Sequence, residues 1–425
     1  MKFMLRAILS KLVKRGDITV TFADGEVRRF GDATGEPVHI RFNSPQAERA
    51  VAFDPSLKFG ETYMDGGYDI LRGDMYAALK IIFENSSNPA LAEPWMMAIE
   101  GARHVGRRLQ QINTMARSSS NVRRHYDLSG EMYRLFLDSD MQYSCAYFEE
   151  PDFTIEEAQL AKRRHIASKL LVEEGHRVLD IGCGWGGLGL YLARHLGASV
   201  TGVTLSTEQH AVANERARKE DLSERAEFKL LDYRKVEGAF DRLVSVGMFE
   251  HVGVNYYREY FRHAARLMKP NGVFLLHTIG RSDVPSSTNA FIRKYIFPGG
   301  YIPSMSEVLP HIERTGLVVT DVEVLRLHYA ETLRAWRDRF MANRDKAKAI
   351  YDERFCRMWE FYLAASETAF RWQNLVVFQF QIARDQTNVP MTRNYIGEAE
   401  LKLKRLDSPR ESANSQGERK KAATS

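Results

Sequence analysis

The clearest chemical pattern in this sequence is a group of glycines that follows an acid at the end of an apolar run. Residues 178–187 read Val-Leu-Asp-Ile-Gly-Cys-Gly-Trp-Gly-Gly, and residues 188–194 continue as a helix-like segment. A strand that leads into a glycine turn and then a helix lets backbone N–H groups approach a ligand at the positive end of the helix. The turn has no following Lys-Ser/Thr pair that could hold a phosphate and magnesium. The segment therefore predicts a backbone cradle for a ligand, and this cradle is not a P-loop.

An alternating β/α series surrounds the glycine turn and must position it. We predict strands at 177–182, 199–205, 226–231, 240–248, 272–279, 318–327 and 375–383. Helices are predicted near 186–196, 207–220, 256–268 and, after a long excursion from 281 to 316, over roughly 331–370. Such alternation indicates an α/β fold with a mainly parallel, doubly wound, seven-stranded sheet that binds ligands at the carboxyl ends of its strands.

The first third of the chain has a different pattern. Residues 17–45 read as a β-hairpin region followed by another strand, 60–67 as a loop, and 75–83 as a helix. Residues 94–116 read as helical and lead into a serine-rich junction, where we place the domain boundary. We predict a smaller α+β N-terminal domain at 1–117, a main domain at 118–405 and a disordered tail at 406–425.

Composition limits the classes of partner. The net charge is +5 and the pI about 8.9, which is too weakly basic to indicate nucleic acid but suits an anionic phospholipid surface. The three cysteines (Cys145, Cys183 and Cys356) form neither a disulfide framework nor a zinc spacing, so we expect a reducing cytoplasm and no metal site. The sequence contains no run of eighteen apolar residues, so we predict no membrane-spanning helix.

The N-terminal segment leaves two interpretations open. Arg6 and Lys11 interrupt its apolar residues, so a signal peptide is not predicted. On a helix, Met4, Leu5, Ile8 and Leu12 would share one face. That face could pack on its own domain or lie on anionic lipid.

The glycine turn resembles the first motif of class I S-adenosylmethionine (SAM) methyltransferases. This resemblance implies that Asp180, Gly182, Gly184 and Gly186 form the cradle for the methionine and ribose parts of the cofactor. The next strand ends in polar, uncharged residues where an acid commonly holds the ribose, so we expect Thr204 and above all Gln209 to do this work. The loop after the third strand is placed to bracket the adenine with its residues Asp232, Tyr233 and Arg234.

Several longer motifs resemble the cyclopropane-fatty-acyl-phospholipid synthase family and its relatives, the mycolic acid cyclopropane synthases. They span about residues 120 to 385 and are Arg124-His-Tyr-Asp-Leu128, Met141-Gln-Tyr-Ser-Cys-Ala-Tyr147, Leu179-Asp-Ile-Gly-Cys-Gly-Trp185, Ser245-Val-Gly-Met-Phe-Glu-His-Val-Gly253, Leu275-Leu-His-Thr-Ile-Gly280 and Tyr295-Ile-Phe-Pro-Gly-Gly300. The N-terminal third is similar only to the accessory domain of the longer bacterial synthases. The resemblance also implies cofactor contacts from Tyr143 and Ser144, and a segment with His125 that caps the site.

The chemistry of this family explains the polar residues at the strand ends. Methyl transfer from a sulfonium to an isolated alkene leaves a carbocation, so the enzyme must exclude water, shield the cation and place a base at the new methyl group. Aromatic faces such as that of Phe249 could shield the cation. In this family a bound bicarbonate is taken as the base. By resemblance it would be held by Cys145, Glu250, His277 and Tyr329 and by the backbone of Ile279.

The resemblance therefore implies an enzyme that adds a methylene group from SAM across a cis double bond of a phospholipid acyl chain. We expect it in the cytoplasm, peripherally on the inner face of the membrane, with the N-terminal domain supplying docking, homodimer contacts or both. Two alternatives stay open. One is a SAM-dependent C-methyltransferase that gives a methylated or methyl-branched chain, and the other is a non-catalytic lipid-binding protein on a methyltransferase scaffold.

Overall fold

A computed structural model of the chain describes residues 2–85, 101, 111 and 129–407. Its strands are β1 (Asp17–Thr21), β2 (Val27–Phe30), β3 (Pro37–Phe42), β4 (Tyr68–Arg72), β5 (Arg177–Ile181), β6 (Ser199–Thr204), β7 (Ala226–Leu230), β8 (Phe240–Val246), β9 (Met268–Arg281), β10 (Val318–Leu325) and β11 (Leu375–Ala383). Its α-helices, numbered over the described residues, are α1 (Lys2–Leu12), α2 (Pro45–Phe53), α3 (Pro55–Met64), α4 (Met75–Asn85), α5 (Gly130–Arg134), α6 (Ile155–Leu170), α7 (Gly187–Leu196), α8 (Thr207–Lys219), α9 (Tyr257–Leu267), α10 (Met305–Glu313), α11 (His328–Ala342), α12 (Arg344–Ile350), α13 (Glu353–Trp372) and α14 (Asn394–Leu406).

Backbone contacts divide the chain into two compact units. The first contains segments within Met1–Gln110, Ser286–Pro298 and Leu333–Leu375, and the second contains segments within Gln111–Pro285, Gly299–Thr332 and Val376–Ser425. This division does not follow two contiguous stretches of sequence. The boundary predicted at residue 117 lies outside the described residues, as do His125 and all but the first two residues of the predicted tail.

The second unit is built on a seven-stranded sheet in the order β10-β11-β9-β8-β5-β6-β7. β5 pairs in parallel with β6 and β8, and β6 with β7, whereas β10 and β11 are antiparallel. β5 and β8 are almost wholly buried, as expected of apolar strands covered on both faces. The predicted mainly parallel sheet of seven strands is confirmed.

The strand order reverses beside β5, and this reversal places the chemistry. From β5 the chain goes to β6 and β7 on one side, then returns to β8 and β9 on the other. Ligands of doubly wound sheets bind at such a switch point, outside the carboxyl ends of the strands. The glycine turn follows β5, and Glu250 follows β8.

The first unit has a four-stranded sheet in the order β2-β1-β3-β4. β1 and β2 form the predicted hairpin, and β3 pairs in parallel with β1. Buried residues of these strands and of α2 to α4 share one core with Phe291, Phe361 and Ala364. The smaller α+β N-terminal region predicted from the sequence is therefore present, but its core includes residues from much later in the chain.

The loop predicted at 60–67 is wrong over its first five residues, because α3 continues to Met64. Glycine lowers helix propensity by about 1 kcal/mol relative to alanine, which is why the sequence pattern at Gly60 suggested a break. In the structure a side chain at Gly60 would meet the rings of Phe291 and Phe361 at 2.6 Å. This glycine lets two aromatic rings pack against the helix backbone.

The N-terminal helix packs on its own unit. Leu5 belongs to the buried core, and Met4, Ile8 and Leu12 are partly buried against it. Phe3 points elsewhere and is 79% exposed. The apolar face that could have lain on lipid is thus used in packing, which favours the first of the two interpretations. Within the described residues, no helix is both long and apolar enough to cross a membrane.

Candidate active site

The glycine turn after β5 combines close packing with open space. Gly182, Gly184 and Gly186 all have positive φ angles, which side chains rarely adopt. A Cβ at Gly182 would lie 2.8 Å from Met248, and one at Gly186 would lie 2.8 Å from Phe228. A Cβ at Gly184 would meet no atom within 4 Å. Two of the glycines are therefore required by packing, whereas Gly184 borders a space that can admit a ligand.

Asp180 is the second-to-last residue of β5, two positions before the first glycine of the turn, and it is buried. Burial raises the pKa of its carboxyl group to about 7, and the charge of Lys162 partly opposes this effect. A hydrogen-bond donor on a ligand would relieve the cost of ionising such a group. The position and electrostatics of Asp180 fit its predicted role in the cofactor cradle.

The side chains of Thr204 and Gln209, the predicted ribose contacts, form a hydrogen bond with each other. The hydroxyl of Thr204 donates to Oε1 of Gln209 over 2.8 Å, and both side chains are buried. The amide N–H groups of Gln209 make no hydrogen bond with the described residues. Thr204 thus orients the amide of Gln209, which keeps its donor side for another partner.

The predicted adenine loop is ordered by an internal ion pair. The carboxylate of Asp232 accepts from the backbone N–H of Arg234 over 3.0 Å and from its guanidinium over 2.6 and 2.9 Å. The Tyr233 ring packs edge-on against Tyr260, with 5.4 Å between centroids, and Arg234 lies 5.6 Å from the Tyr233 ring centre. The ion pair thus fixes the Arg234 side chain against Asp232, next to the ring of Tyr233.

The segment with Tyr143, Ser144 and Cys145 rests on two buried polar residues of α6 that sequence reasoning missed. Nε2 of Gln159 donates to the backbone oxygen of Ser144 over 2.9 Å, and Nζ of Lys162 donates to the Ser144 hydroxyl over 2.8 Å. Burial lowers the pKa of Lys162 to about 8, although nearby aspartates oppose the shift. The Tyr143 ring packs edge-on against Tyr133, with 5.2 Å between centroids. The spacing i, i+3 of Gln159 and Lys162 on one helix face was the only signal for this support.

Glu250 lies in a short 3₁₀ turn after β8 and has one satisfied and one unsatisfied oxygen. Its Oε1 accepts from the backbone N–H of Ile279 over 2.6 Å, and its backbone oxygen accepts from the N–H of Tyr301. Its Oε2 is buried and has no hydrogen-bond partner among the described residues. Burial raises the pKa of this carboxyl group to about 7. The backbone of Ile279 is among the expected anion ligands, but its N–H donates to Glu250.

His277 lies two residues before Ile279 on β9 and is buried. Burial holds its pKa well below the usual range, so the ring is neutral. Its Nδ1 lies 3.1 Å from Nε2 of Gln379 on the neighbouring strand β11. Next to Glu250, burial lowers the pKa of His251 to about 4, so this second histidine is also uncharged at neutral pH.

Cys145 and Tyr329 are linked through their neighbours. The N–H of Ala146 donates to the hydroxyl of Thr332 over 3.0 Å, and Tyr329 precedes Thr332 by one turn on α11. Both Cys145 and Tyr329 are buried. Burial raises the pKa of the Cys145 thiol, so this group stays protonated and is no nucleophile.

Phe249 does not line an open site. Its ring stacks on that of Tyr257, with 4.3 Å between centroids, and lies within the buried core. It is a core residue, and the suggestion that its face shields a cation is not supported by this packing.

The raised pKa of Glu250 predicts a pH-dependent stability. The pKa of Glu250 is raised from 4.5 in the unfolded chain to about 7 in the folded protein. The contribution of this group to the free energy of unfolding is therefore fully present below pH 4.5 and is lost as the pH rises through about 7. We expect Glu250→Gln to raise the free energy of unfolding of the ligand-free protein by about 1–3 kcal/mol at pH 8 and to change it little at pH 5. Urea unfolding at the two pH values measures this difference, and an equal gain at both would contradict the assignment.

Comparison with known proteins identifies the family. Residues 113–380 match the family model of mycolic acid cyclopropane synthetase, and residues 4–92 match a domain family of unknown function. The chain is 39% identical over 354 residues to the cyclopropane-fatty-acyl-phospholipid synthase of Escherichia coli (strain K12), which covers 83% of this chain and 89% of that protein. It is 34% identical over 408 residues to the tuberculostearic acid methyltransferase UfaA1 of Mycobacterium tuberculosis, which covers 89% of this chain and 91% of that protein.

Among solved structures, the mycolic acid cyclopropane synthase CmaA1 in complex with SAH and CTAB matches with a TM-score of 0.60 and 36% identity. The match covers 62% of this chain and 98% of that one. The fold predicted from the sequence is thus that of the class I methyltransferases. The chain belongs to the mycolic acid cyclopropane synthetase family and is a SAM-dependent methyltransferase.

Proposed function

We propose that this chain transfers a methylene group from SAM to the cis double bond of an unsaturated acyl chain in a membrane phospholipid and so forms a cyclopropane ring. The observation that carries the proposal is the carboxyl group of Glu250, which has one satisfied and one unsatisfied oxygen and is buried in the turn after β8, two residues after Met248, which borders Gly182. The name of the Escherichia coli relative, which is similar over most of both chains, supports the choice of a phospholipid substrate.

The glycine turn and its surroundings would bind SAM, which supplies a methyl group carried on a sulfonium. The open space beside Gly184 leaves room for the cofactor, and the donor side of Gln209 is available for a hydroxyl group. The proposed contacts are Tyr143, Ser144, Asp180, Gly182, Gly184, Gly186, Thr204, Gln209, Asp232, Tyr233 and Arg234. Lys162 and Gln159 hold the segment that carries the first two of these residues.

The balance of the reaction explains why a base is needed. The π electrons of the alkene form the new carbon–carbon bond to the methyl group as the carbon–sulfur bond breaks, which leaves a carbocation on the chain. Loss of a proton from the added methyl group then supplies the electron pair that closes the ring. A site for this chemistry must exclude water and must accept one proton.

The residues around Glu250 fit a small anion that could accept this proton. We propose that Cys145, Glu250, His277 and Tyr329 hold bicarbonate, which supplies the base, and that the backbone N–H of Ile279 acts through the Glu250 carboxyl group to which it donates. His277 and Cys145 are uncharged, and the unpartnered oxygen of Glu250 can accept a hydrogen bond from a protonated oxygen of the anion. The buried Oε2 of Glu250 is costly while it has no hydrogen-bond partner among the described residues, so it favours a bound polar ligand.

The location of the protein is part of the same proposal. A net charge of +5 favours contact with an anionic phospholipid surface, and the substrate lies in a bilayer. We propose a cytoplasmic protein that binds the inner face of the membrane peripherally. The first unit would supply lipid contacts, homodimer contacts or both, and no nucleic acid is involved.

A product analysis tests the proposed reaction. The full-length protein is incubated with SAM and vesicles of unsaturated phospholipid, and the fatty acids are then analysed by mass spectrometry before and after mild hydrogenation. A gain of one CH₂ that resists hydrogenation is expected. A gained CH₂ in a chain that takes up hydrogen would show a methylated alkene, and a gain of CH₂ plus two hydrogen atoms would show a saturated, methyl-branched chain. SAM binding without any gain would favour a non-catalytic lipid-binding protein.

Removal of bicarbonate tests the proposed base. In buffer freed of carbon dioxide, we expect the rate of SAH formation to fall at least about 10-fold and to recover when bicarbonate is added. Chloride at the same ionic strength is the control. A rate that does not respond to bicarbonate would refute this part of the proposal and leave the methyl transfer itself untouched.

A further inference from the structure

A row of three buried side chains connects α6 to the proposed anion site. Nζ of Lys169 lies 2.9 Å from Oε1 of Gln379, and Nε2 of Gln379 lies 3.1 Å from Nδ1 of His277. All three side chains are buried. They come from α6, β11 and β9, and neither Lys169 nor Gln379 belongs to a sequence motif that indicated function.

The hydrogen-bonding capacities of these groups allow only one arrangement. An ammonium group can donate but cannot accept, so the oxygen of the Gln379 amide must face Lys169. The NH₂ group of Gln379 therefore faces His277 and donates to Nδ1. A neutral histidine that accepts at Nδ1 carries its proton on Nε2.

The ammonium group of Lys169, which orients the Gln379 amide, has a carboxylate partner. Lys169 also makes an ion pair with Glu323 of β10. Glu323 accepts from His165 over 2.7 Å, and the other ring nitrogen of His165 lies 2.5 Å from Glu400. Burial lowers the pKa of Lys169, whereas the neighbouring carboxylate of Glu323 opposes this shift and favours the ammonium form.

The second ring nitrogen of His277, Nε2, lies on the side of the ring away from Gln379. Nε2 of His277 makes no hydrogen bond with the described residues. Since this nitrogen carries the proton, it can donate a hydrogen bond to a ligand. An oxygen of an anion held beside Glu250 is such an acceptor.

We infer that Lys169 and Gln379 are positioning residues that fix His277 as the neutral tautomer with its proton on Nε2, ready to donate to the anion. The inference rests on the proposed function for the identity of the acceptor. The tautomer itself depends only on the row of three side chains.

Gln379→Glu tests the inference because it keeps the shape of the side chain and reverses one hydrogen bond. A carboxylate between Lys169 and His277 accepts from both, so the proton of His277 moves to Nδ1. We expect turnover to fall about 10²-fold, as when one donor to a reacting anion is lost, with the KM for SAM changed less than about 3-fold. Lys169→Met, which frees the amide to rotate, is expected to give a mixture of tautomers and a fall of about 10-fold.

The tautomer is measured directly by long-range ¹H–¹⁵N correlation in the full-length protein labelled with ¹⁵N-histidine, with the His277 signals assigned by their absence in His277→Gln. Gln381→Glu is the matched control. Gln381 is also buried on β11, two residues further along, but it donates to the backbone of Lys169 and to Tyr395. This control is expected to leave the tautomer of His277 unchanged.

Two outcomes would overturn the inference. A proton on Nδ1 of His277 in the unsubstituted protein would do so whatever the activity, and so would a Gln379→Glu protein with wild-type turnover and unchanged tautomer. A protein with the expected tautomer that never modifies phospholipid would instead refute the proposed function and leave the positioning of His277 intact.

Discussion

Glu250→Gln is expected to lower turnover about 10³-fold while the Kd for SAM changes less than about 3-fold. The glutamine can still accept from the Ile279 N–H through its oxygen, so the local backbone contact survives. Its NH₂ group would take the place of Oε2, the oxygen that has no partner among the described residues. A hydrogen-bond donor would then lie where the proposed bicarbonate needs an acceptor. The bicarbonate would therefore bind more weakly or in another orientation.

The measurements are the rate of SAH formation with phospholipid vesicles and calorimetric titration of SAM. Asp241→Asn is the control, because Asp241 is also buried but pairs with Lys269 at the opposite, amino end of β8. It is expected to lower stability with little effect on turnover. A variant at Glu250 that loses SAM affinity as strongly as turnover would assign the residue to cofactor binding.

Gly184→Leu is expected to weaken SAM binding about 10²-fold, because the side chain would fill the space that borders the glycine turn. An added Cβ at this position meets no protein atom within 4 Å. The leucine side chain therefore does not clash with the protein, and we expect it to lower the affinity for the ligand. The positive φ of 53° adds a backbone cost of about 1–2 kcal/mol for any non-glycine residue.

Gly175→Leu separates these two effects. Gly175 is an exposed glycine before β5 with a positive φ of 78°, and a Cβ there also meets nothing within 4 Å. Both variants should lose similar amounts of stability in urea unfolding, but only the variant at Gly184 should lose affinity in calorimetric titration. Equal affinities in the two variants would mean that the cofactor does not lie against Gly184.

The sheet could be predicted because its strands carry their own signal. Residues 177–182 and 240–248 each contain a short β-prone stretch of apolar residues, and the corresponding strands β5 and β8 are buried along almost their whole length. Strand ends in a doubly wound sheet meet at one edge, so Glu250 and His277 could be placed at that edge without a structure. Their roles as anion ligands stay predictions.

The supporting residues could not be predicted, because their partners are far apart in sequence. Lys169 and Gln379 are separated by 210 positions, and Lys162 reaches a hydroxyl 18 positions away. On a helix wheel a lysine of α6 reads as a solvent-exposed charge, and only the packing of strands and loops around the helix buries it. The loop wrongly predicted at Gly60 has the same cause. The helix there packs against the rings of Phe291 and Phe361, which lie about 230 and 300 residues later in the sequence.

The composition of the first unit has a consequence for how the protein is made. Its core joins residues near the N-terminus to Phe291, Phe361 and Ala364, and Tyr63 donates to Glu360 over 2.9 Å. At a synthesis rate of about 5–20 residues per second, Phe361 leaves the ribosome roughly 15–55 s after the first 85 residues. During that interval the nascent segment exposes the apolar surface that α13 will cover. Chaperones that hold unfinished chains would therefore find their binding surface at the beginning of this protein, and a fragment that stops before α13 would keep that surface permanently.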